Sequence, residues 1–202
     1  EGNPGIVREK ETPYPGKCFL HRPFIGDMLP VFVWDRYKFF KEVKTFPELS
    51  DEELDLYVAR NVRALIKIVK EYHIKLIHAN HLVMMPVIAS KVKDITGTPF
   101  IIMPHGSAIE YAVKKDKRFY HYAQDALEKA DRIVIGNQEV TQRVIDLYPG
   151  QSWHEKIEII NVGVDTQVFK PIKKGERAIH AANLLDDIPQ GGKNLILTKT
   201  ML

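Results

Sequence analysis

The chain has 202 residues, of which 45% are hydrophobic and 27% are charged. This balance is typical of a globular protein with a buried core and argues against intrinsic disorder. The formal net charge is only +3, so a dedicated nucleic-acid-binding protein, which usually presents a strongly basic face, is not expected. The single cysteine, Cys18, cannot form a disulfide within the chain and therefore favours a reducing compartment.

The sequence offers no candidate for a membrane span or a secretory leader. Its longest apolar stretch falls short of the roughly 18 residues that a spanning helix needs, and no signal-peptide core opens the chain. We therefore predict a cytoplasmic protein whose membrane contact is at most peripheral. Because the chain begins at Glu1 without a methionine and stops just after the apolar run Leu195-Ile196-Leu197, we expect it to be cut from a longer protein.

The first 50 residues are rich in prolines and aromatic residues. Proline and glycine at this density interrupt regular elements, so we predict short strands at about 17–20 and 30–33 joined by long loops. Ser50 and Glu53 are spaced as a capping box, which marks the start of a helix. The apolar residues that follow, from Leu54 to Tyr72, recur every three or four positions and predict a long amphipathic helix.

Strand-like and helix-like segments then alternate along the chain. Strands are predicted near residues 75, 99, 132 and 157, with amphipathic helices at about 83–95, 117–130 and 138–148. The intervals leave room for a crossover helix each time, which predicts an α/β fold with a Rossmann-like parallel sheet flanked by helices. The segment from Lys170 to Gly175 is interpreted as a polar linker.

Polar residues follow each predicted strand at its carboxyl end. The apolar run from Pro99 to Met103, interpreted as a buried strand, leads into Pro104-His105-Gly106, and Leu76-Ile77 leads into His78-Ala79-Asn80-His81. Asn137 and Asn161 stand after the next two strands. In open α/β sheets ligands bind outside the carboxyl ends of the strands, so this edge is the predicted site, with His105 facing it.

Four motifs occur in order at these strand ends: His78-Ala79-Asn80-His81, Pro104-His105-Gly106, Ala130-Asp131-Arg132-Ile133-Val134, and Asn161-Val162-Gly163-Val164-Asp165 with Phe169-Lys170-Pro171. Over roughly residues 75–171 the chain thus resembles the N-terminal half of the group 1 (family 4) glycosyltransferases. No single motif is diagnostic, but the four in order make a fairly specific signal.

The resemblance implies one half of a GT-B architecture, in which two Rossmann-like domains face each other across a cleft. Residues 1–170 would form the acceptor-side domain, and 171–202 a linker and the start of a truncated donor-binding domain. Proteins of this kind transfer a hexose from a nucleotide sugar with retention of configuration, usually without a metal, and no cofactor is expected. The acceptor would be a sugar, a sugar phosphate or a lipid-linked sugar. The family's opening strand and glycine-rich loop have no recognisable counterpart here, and the chain alone is expected to be inactive.

The resemblance also implies roles for individual residues. His105 would be the catalytic residue that meets the transferred sugar, and Gly106 would let the backbone approach the sugar or adopt a conformation that a Cβ forbids. The other expected substrate-binding residues are His78, Asn80, His81, Glu110, Tyr111, Asn137, where a serine is more usual, and Lys193, in a tail that resembles the family's diphosphate-binding segment.

Several alternatives remain open from the residues alone. His78 and His81 are as well explained by structural hydrogen bonds as by function, and a zinc site built from them with His105 is disfavoured because no cysteine or carboxylate pattern completes it. The basic residues Lys114, Lys115, Lys117 and Arg118 suit a phosphorylated acceptor but are more typical of a solvated helix start. Other functions compatible with the fold are a non-catalytic nucleotide or sugar-phosphate binding module and a GT-B sugar-nucleotide epimerase.

Overall fold

The computed structural model describes residues 5–7, 19–22, 24, 26–34, 40–161 and 163–187. By its internal contacts the chain divides into two compact units, Glu1–Val162 and Gly163–Leu202. The strands, in chain order, are β1 (Gly5–Val7), β2 (Leu20–Arg22), β3 (Met28–Val31), β4 (Glu42–Thr45), β5 (Ile77–Asn80), β6 (Phe100–Met103), β7 (Arg132–Ile135) and β8 (Ile157–Ile159). The α-helices are α1 (Asp51–Glu71), α2 (Met85–Thr96), α3 (Gly106–Ala108), α4 (Lys117–Lys129), α5 (Gln138–Leu147) and α6 (Arg177–Asp187).

The central element of the first unit is a parallel sheet with the strand order β5-β6-β7-β8. In its register Ile77 lies opposite Phe100, Ile102 opposite Ile133, and Ile135 opposite Ile159. Each pair of consecutive strands is joined through at least one helix, as parallel pairing requires. The predicted Rossmann-like α/β fold, with its strands near residues 75, 99, 132 and 157, is therefore confirmed.

The sheet buries one face much more fully than the other. Alternate residues such as Ile77, Phe100 and Ile133 are buried, whereas His78 and Arg132, their neighbours along the strands, are exposed. Strand side chains alternate between faces, so this pattern means that one face of the sheet is buried in the core and the other is more exposed. The strand before His105, interpreted as a buried strand, buries Phe100 and Ile102 fully, whereas Ile101 and Met103 are half-buried.

The long helix α1 begins where its capping box predicts. The Ser50 hydroxyl accepts a hydrogen bond from the Glu53 N–H at 3.2 Å, and the Glu53 carboxylate accepts one from the Ser50 N–H at 2.9 Å. These two bonds satisfy backbone donors that have no partner inside the helix. The side chains of Leu54, Tyr57 and Val58 are buried in the core, which confirms the amphipathic helix.

The N-terminal segments pair locally. β1 and β2 form an antiparallel pair, and β3 and β4 form a parallel pair. β3 corresponds to the strand predicted at about 30–33 and begins two residues earlier than expected. Of the strand predicted at about 17–20, residues 17 and 18 lie outside the described residues, and β2 begins at Leu20. β4 was not predicted, because Glu42–Thr45 has neither an apolar run nor an alternating pattern.

The second unit is described from Gly163 to Asp187. Asp165 closes a turn in which the Phe169 N–H donates to its carbonyl at 2.8 Å and the Gln167 N–H donates to its carboxylate at 2.8 Å. A 3₁₀-helix, Lys174–Glu176, then leads directly into α6. Of the helices in the described part of the chain, none has the length and apolar character needed to cross a membrane.

Candidate functional site

The carboxyl ends of β5 and β6 place two histidines next to each other. Asn80, the last residue of β5, lies opposite Met103, the last residue of β6. His81 therefore leaves the sheet at the same edge as Pro104 and His105. Ligands of open parallel sheets bind at this edge, so the residues that meet here form the candidate site.

His105 is held by the side chain of Asn80. Its Nε2 lies 3.2 Å from the Asn80 Oδ1. An amide oxygen can only accept a hydrogen bond, so in the neutral imidazole the proton sits on Nε2 and Nδ1 carries the free lone pair. Within the described residues His105 makes no other hydrogen bond, and its side chain is half-buried. The ring is thus oriented by one bond and keeps one nitrogen for a ligand.

His81 packs against His105 from the neighbouring strand. The two rings meet edge to face with centroids 5.0 Å apart, and the ring of Phe32 packs on His81 at 4.6 Å. The Nδ1 of His81 lies 3.5 Å from the Ser107 hydroxyl. Burial, and then the electrostatic influence of His105, lower the pKa of His81 below its ordinary value of 6.5. The neutral form of His81 is therefore favoured beside His105.

The backbone of His81 is in the left-handed region, with φ of 67°. This conformation is uncommon for a residue other than glycine. Leu82, Val83 and Met84, which follow it, are fully buried. The buried loop holds the strained turn in place, as is typical of segments that fix a functional side chain.

His78 lies further from the strand end than expected. The prediction placed it after the strand, but β5 continues to Asn80, and His78 pairs in register with Ile101 inside the sheet. It points to the same face as Asn80. His78 is exposed and makes no hydrogen bond, ion pair or ring contact within the described residues.

Gly106 begins α3 directly after His105. A Cβ added to it would meet only the Arg143 Nη1, at an ordinary contact distance of 3.6 Å. Its φ is not in the left-handed region, where Gly26, Gly97 and Gly150 are found. Of the two alternatives for Gly106, a conformation forbidden to other residues is therefore wrong, and close approach of a ligand stays a prediction.

Glu110 and Tyr111 lie in a π-helical turn, Ile109–Val113, that follows α3. The Glu110 carboxylate accepts hydrogen bonds from Lys114 Nζ at 2.7 Å and from Arg143 Nη1 at 3.3 Å. These two cations, with Lys114 the stronger influence, lower the pKa of Glu110. Tyr111 is exposed, and the Lys115 ammonium lies 5.3 Å from its ring centre.

Asn137 caps the start of α5. Its side-chain oxygen accepts a hydrogen bond from the Val140 N–H at 2.8 Å, the bond that an N-cap residue typically makes. This contact explains the asparagine without a ligand. Lys193 lies outside the described residues.

Arg143 is the residue of this region that sequence reasoning missed. It lies on α5, forms an ion pair with Glu139 one turn earlier, and reaches Glu110 from the neighbouring segment. The only sequence signal was a Glu and an Arg four positions apart, which occurs on many helices. Among the described residues no group of three or more His, Cys, Asp or Glu side chains is placed to hold a metal ion.

The family comparison covers this site apart from Phe32 and Lys193. A model of the family described as Glycosyltransferase Family 4 matches residues 33–168, about two thirds of the chain. That match includes β4, the four-stranded sheet and the contact between His81 and His105. A search of curated proteins finds no match to the chain.

Proposed function

Because this chain belongs to Glycosyltransferase Family 4, we propose that it is the acceptor-side domain of a retaining glycosyltransferase. Membership of the family assigns the chain to glycosyl transfer. On our proposal the group transferred is a hexose, the donor is a nucleotide sugar, and the acceptor is a sugar, a sugar phosphate or a lipid-linked sugar. The reaction takes place in the cytoplasm without a resident metal or cofactor.

The chemistry of transfer sets what the site must do. The acceptor hydroxyl oxygen forms a bond to the anomeric carbon while the bond from that carbon to the diphosphate breaks. The diphosphate leaves with the electron pair, and the hydroxyl proton passes to it. Positive charge develops on the sugar and negative charge on the leaving group, so polar groups placed in advance around the sugar lower the barrier.

The single observation that carries the proposal is the orientation of His105 by Asn80. With Nε2 held by the Asn80 amide oxygen at 3.2 Å, the remaining nitrogen, Nδ1, can accept a hydrogen bond from a sugar hydroxyl. An interaction of this kind, fixed before the substrate arrives, costs little reorganisation during the reaction. His81, packed edge to face on the His105 ring, restrains it from the other side.

The donor diphosphate is proposed to bind mainly to a second Rossmann-like domain. In such an arrangement catalysis requires the two domains to close over the reacting bond. The 202-residue chain is then the part that holds the acceptor and supplies His105. Turnover is not expected from this chain alone.

The test compares His105→Ala with the unchanged enzyme that contains this chain. Purified protein is incubated with a panel of nucleotide hexoses and acceptors, and the release of nucleoside diphosphate is followed, together with the anomeric configuration of the product by proton NMR. Loss of one prearranged hydrogen bond at the transition state is expected to lower kcat by about two to three orders of magnitude. The product should keep the configuration of the donor.

A matched control is His73→Asn, which alters an exposed histidine after α1 and should leave kcat unchanged. Circular dichroism of both variants checks that the fold survives. A folded His105→Ala enzyme with near-normal kcat would refute the role of His105. A product of inverted configuration would refute retention, and conversion of the nucleotide sugar to its epimer, or binding without any conversion, would refute the transferase.

A further inference from the structure

A cavity of about 700 Å³ opens at the start of α4, next to the π-helical turn. This volume lies within the range of about 300–1,000 Å³ that is typical of small-molecule sites. Three lysines line it, Lys114, Lys115 and Lys117, together with His121. The cavity is therefore large enough for a substrate and presents a concentration of positive charge.

The one carboxylate of the lining does not offset this charge. Oδ2 of Asp116 accepts hydrogen bonds from the Arg118 guanidinium, from Nη2 at 2.6 Å and from Nε at 3.0 Å. Oδ1 accepts from the same Nε at 3.2 Å and from the Arg118 backbone N–H at 2.8 Å. These bonds lower the pKa of Asp116. Arg118 is itself fixed to the segment before α1, through the carbonyl of Leu49 at 2.8 Å. Asp116 is thus paired with an arginine that is not part of the lining and that also pairs with Asp51 at 2.8 Å.

The three lysines differ in how far they are already paired. Lys114 forms the ion pair with Glu110, and Lys115 lies over the ring of Tyr111. Lys117 forms no ion pair or hydrogen bond with any residue that the structure describes. Two ammonium groups, those of Lys115 and Lys117, therefore lack a carboxylate partner in the described structure and remain available to an anion.

The rest of the lining suits the carbon skeleton of a ligand. Val113 and Leu147 are apolar, and the hydroxyl of Tyr120 is already used, since it donates to the Leu147 carbonyl at 3.1 Å. The aromatic ring of Tyr120 then forms an apolar wall of the cavity. A site with an apolar wall and a few convergent charges is the usual form of a small-molecule pocket.

A short chain of contacts connects this cavity to His105. A Cβ added to Gly106, the next residue after His105, would lie 3.6 Å from Arg143 Nη1. Arg143 Nη1 lies 3.3 Å from the Glu110 carboxylate, which lies 2.7 Å from Lys114 Nζ at the cavity. Gly106, Glu110 and Lys114 follow one another every four residues along the segment that leaves His105. The cavity therefore lies at the end of the segment that begins at His105.

We propose that this cavity binds the phosphate group of the acceptor, with Lys115 and Lys117 as its principal ligands. The inference rests on the proposed function, because it makes the bound molecule the acceptor of that transfer. The phosphate can belong to a soluble sugar phosphate or to a lipid headgroup, since both present the same oxygens to the lysines. Glu110, held between Lys114 and Arg143, then separates the phosphate from the reacting hydroxyl.

The experiment measures binding without donor, so it does not depend on turnover. Calorimetric titration of the enzyme with glucose 6-phosphate tests the soluble source, and sedimentation with phosphatidylinositol vesicles, against neutral phosphatidylcholine vesicles, tests the headgroup. The variant is Lys115→Gln with Lys117→Gln. The control, Lys67→Gln with Lys70→Gln, removes the same charge from exposed positions on α1.

The cavity variant is expected to weaken binding of one of the two probes at least about tenfold, a loss equivalent to about 1.4 kcal/mol, and the control less than about twofold. Binding only to glucose 6-phosphate assigns a soluble acceptor, and binding only to phosphatidylinositol vesicles assigns a lipid one. Absence of binding to both probes, or equal weakening by the control, overturns the proposal. Because binding is measured without donor, the two failures are distinguishable: a probe that binds through Lys115 and Lys117 in an enzyme that transfers no sugar refutes only the transferase, whereas sugar transfer together with unchanged probe binding by the cavity variant refutes only this site.

Discussion

His81 illustrates how a residue can serve the site through its protonation state. Its ring touches His105, Phe32 and Ser107, and burial holds its pKa below 6.5 in the folded protein. In the unfolded chain the same group titrates near its ordinary value. Between the two values the unfolded chain binds more protons than the folded protein, so stability must rise with pH in that window.

Acidification is therefore expected to destabilise the protein through His81. The contribution of His81 to the free energy of unfolding does not change with pH above about 6.5, and it becomes unfavourable as the pH falls below 6.5. His81→Asn should reduce the dependence of the free energy of unfolding on pH between about pH 7 and 5, since asparagine does not titrate and tolerates a left-handed backbone. Urea unfolding at a series of pH values provides the measurement.

His73→Asn is the matched control for this experiment. His73 also has a positive φ, 51°, but it is exposed. Its replacement removes a histidine from the same backbone region without touching the site, so the pH dependence should match that of the unchanged protein. Equal pH dependence in all three proteins would show that His81 is not the group responsible.

At the scale of secondary-structure elements, Asp131 connects α2, β6 and β7. It precedes β7, and its carboxylate accepts hydrogen bonds from Lys93 Nζ on α2, at 2.9 Å to each oxygen, and from the Phe100 N–H at the start of β6, at 2.9 Å. Burial acts to raise its pKa, but these donors outweigh burial and lower it. Hydrogen bonds to a charged group are among the stronger ones in proteins.

Asp131→Asn is expected to destabilise the fold by about 1–2 kcal/mol, because the amide can still accept from Phe100 but no longer attracts the Lys93 charge. Asp94→Asn is the control. Asp94 forms an exposed ion pair with Lys129 at 2.6 Å but accepts no backbone hydrogen bond within the described residues, so its loss should cost less than about 0.5 kcal/mol. Urea denaturation of the two variants and the unchanged protein measures their free energies of unfolding. Equal losses in the two variants would contradict the prediction.

The elements were predictable where local signals were strong. The capping box at Ser50 and the three-and-four spacing located α1, and the apolar runs located the four parallel strands. β4 and α6 were not predicted, since their sequences show no clear hydrophobic periodicity. Of the site, the strand-end position of His105 was visible in the sequence. The hydrogen bond between His105 and Asn80 was not visible in the sequence, because these residues are 25 positions apart and only tertiary packing brings them together. The same holds for the hydrogen bond from Arg118 to the Leu49 carbonyl, which joins residues 69 positions apart.

At the scale of the whole molecule, the buried core is confined to the first unit. Among the described residues, every buried hydrophobic side chain lies between Val31 and Trp153. Residues 163–180 are exposed throughout. Burial of apolar surface is the main source of folding stability, so the first unit should hold nearly all of it.

A shortened chain of residues 1–162 is therefore expected to unfold cooperatively, with a Tm within about 4 °C of that of the 202-residue chain. A second shortened chain, ending at Gly150, tests whether the loss of core residues, rather than shortening as such, abolishes cooperative unfolding. It loses Trp153, which is 1% exposed, and the edge strand β8. Removal of a buried tryptophan alone costs about 3–5 kcal/mol, so this chain should show no cooperative transition. Thermal unfolding followed by circular dichroism measures both. A 1–162 chain that fails to fold would show that the remaining residues contribute to the core.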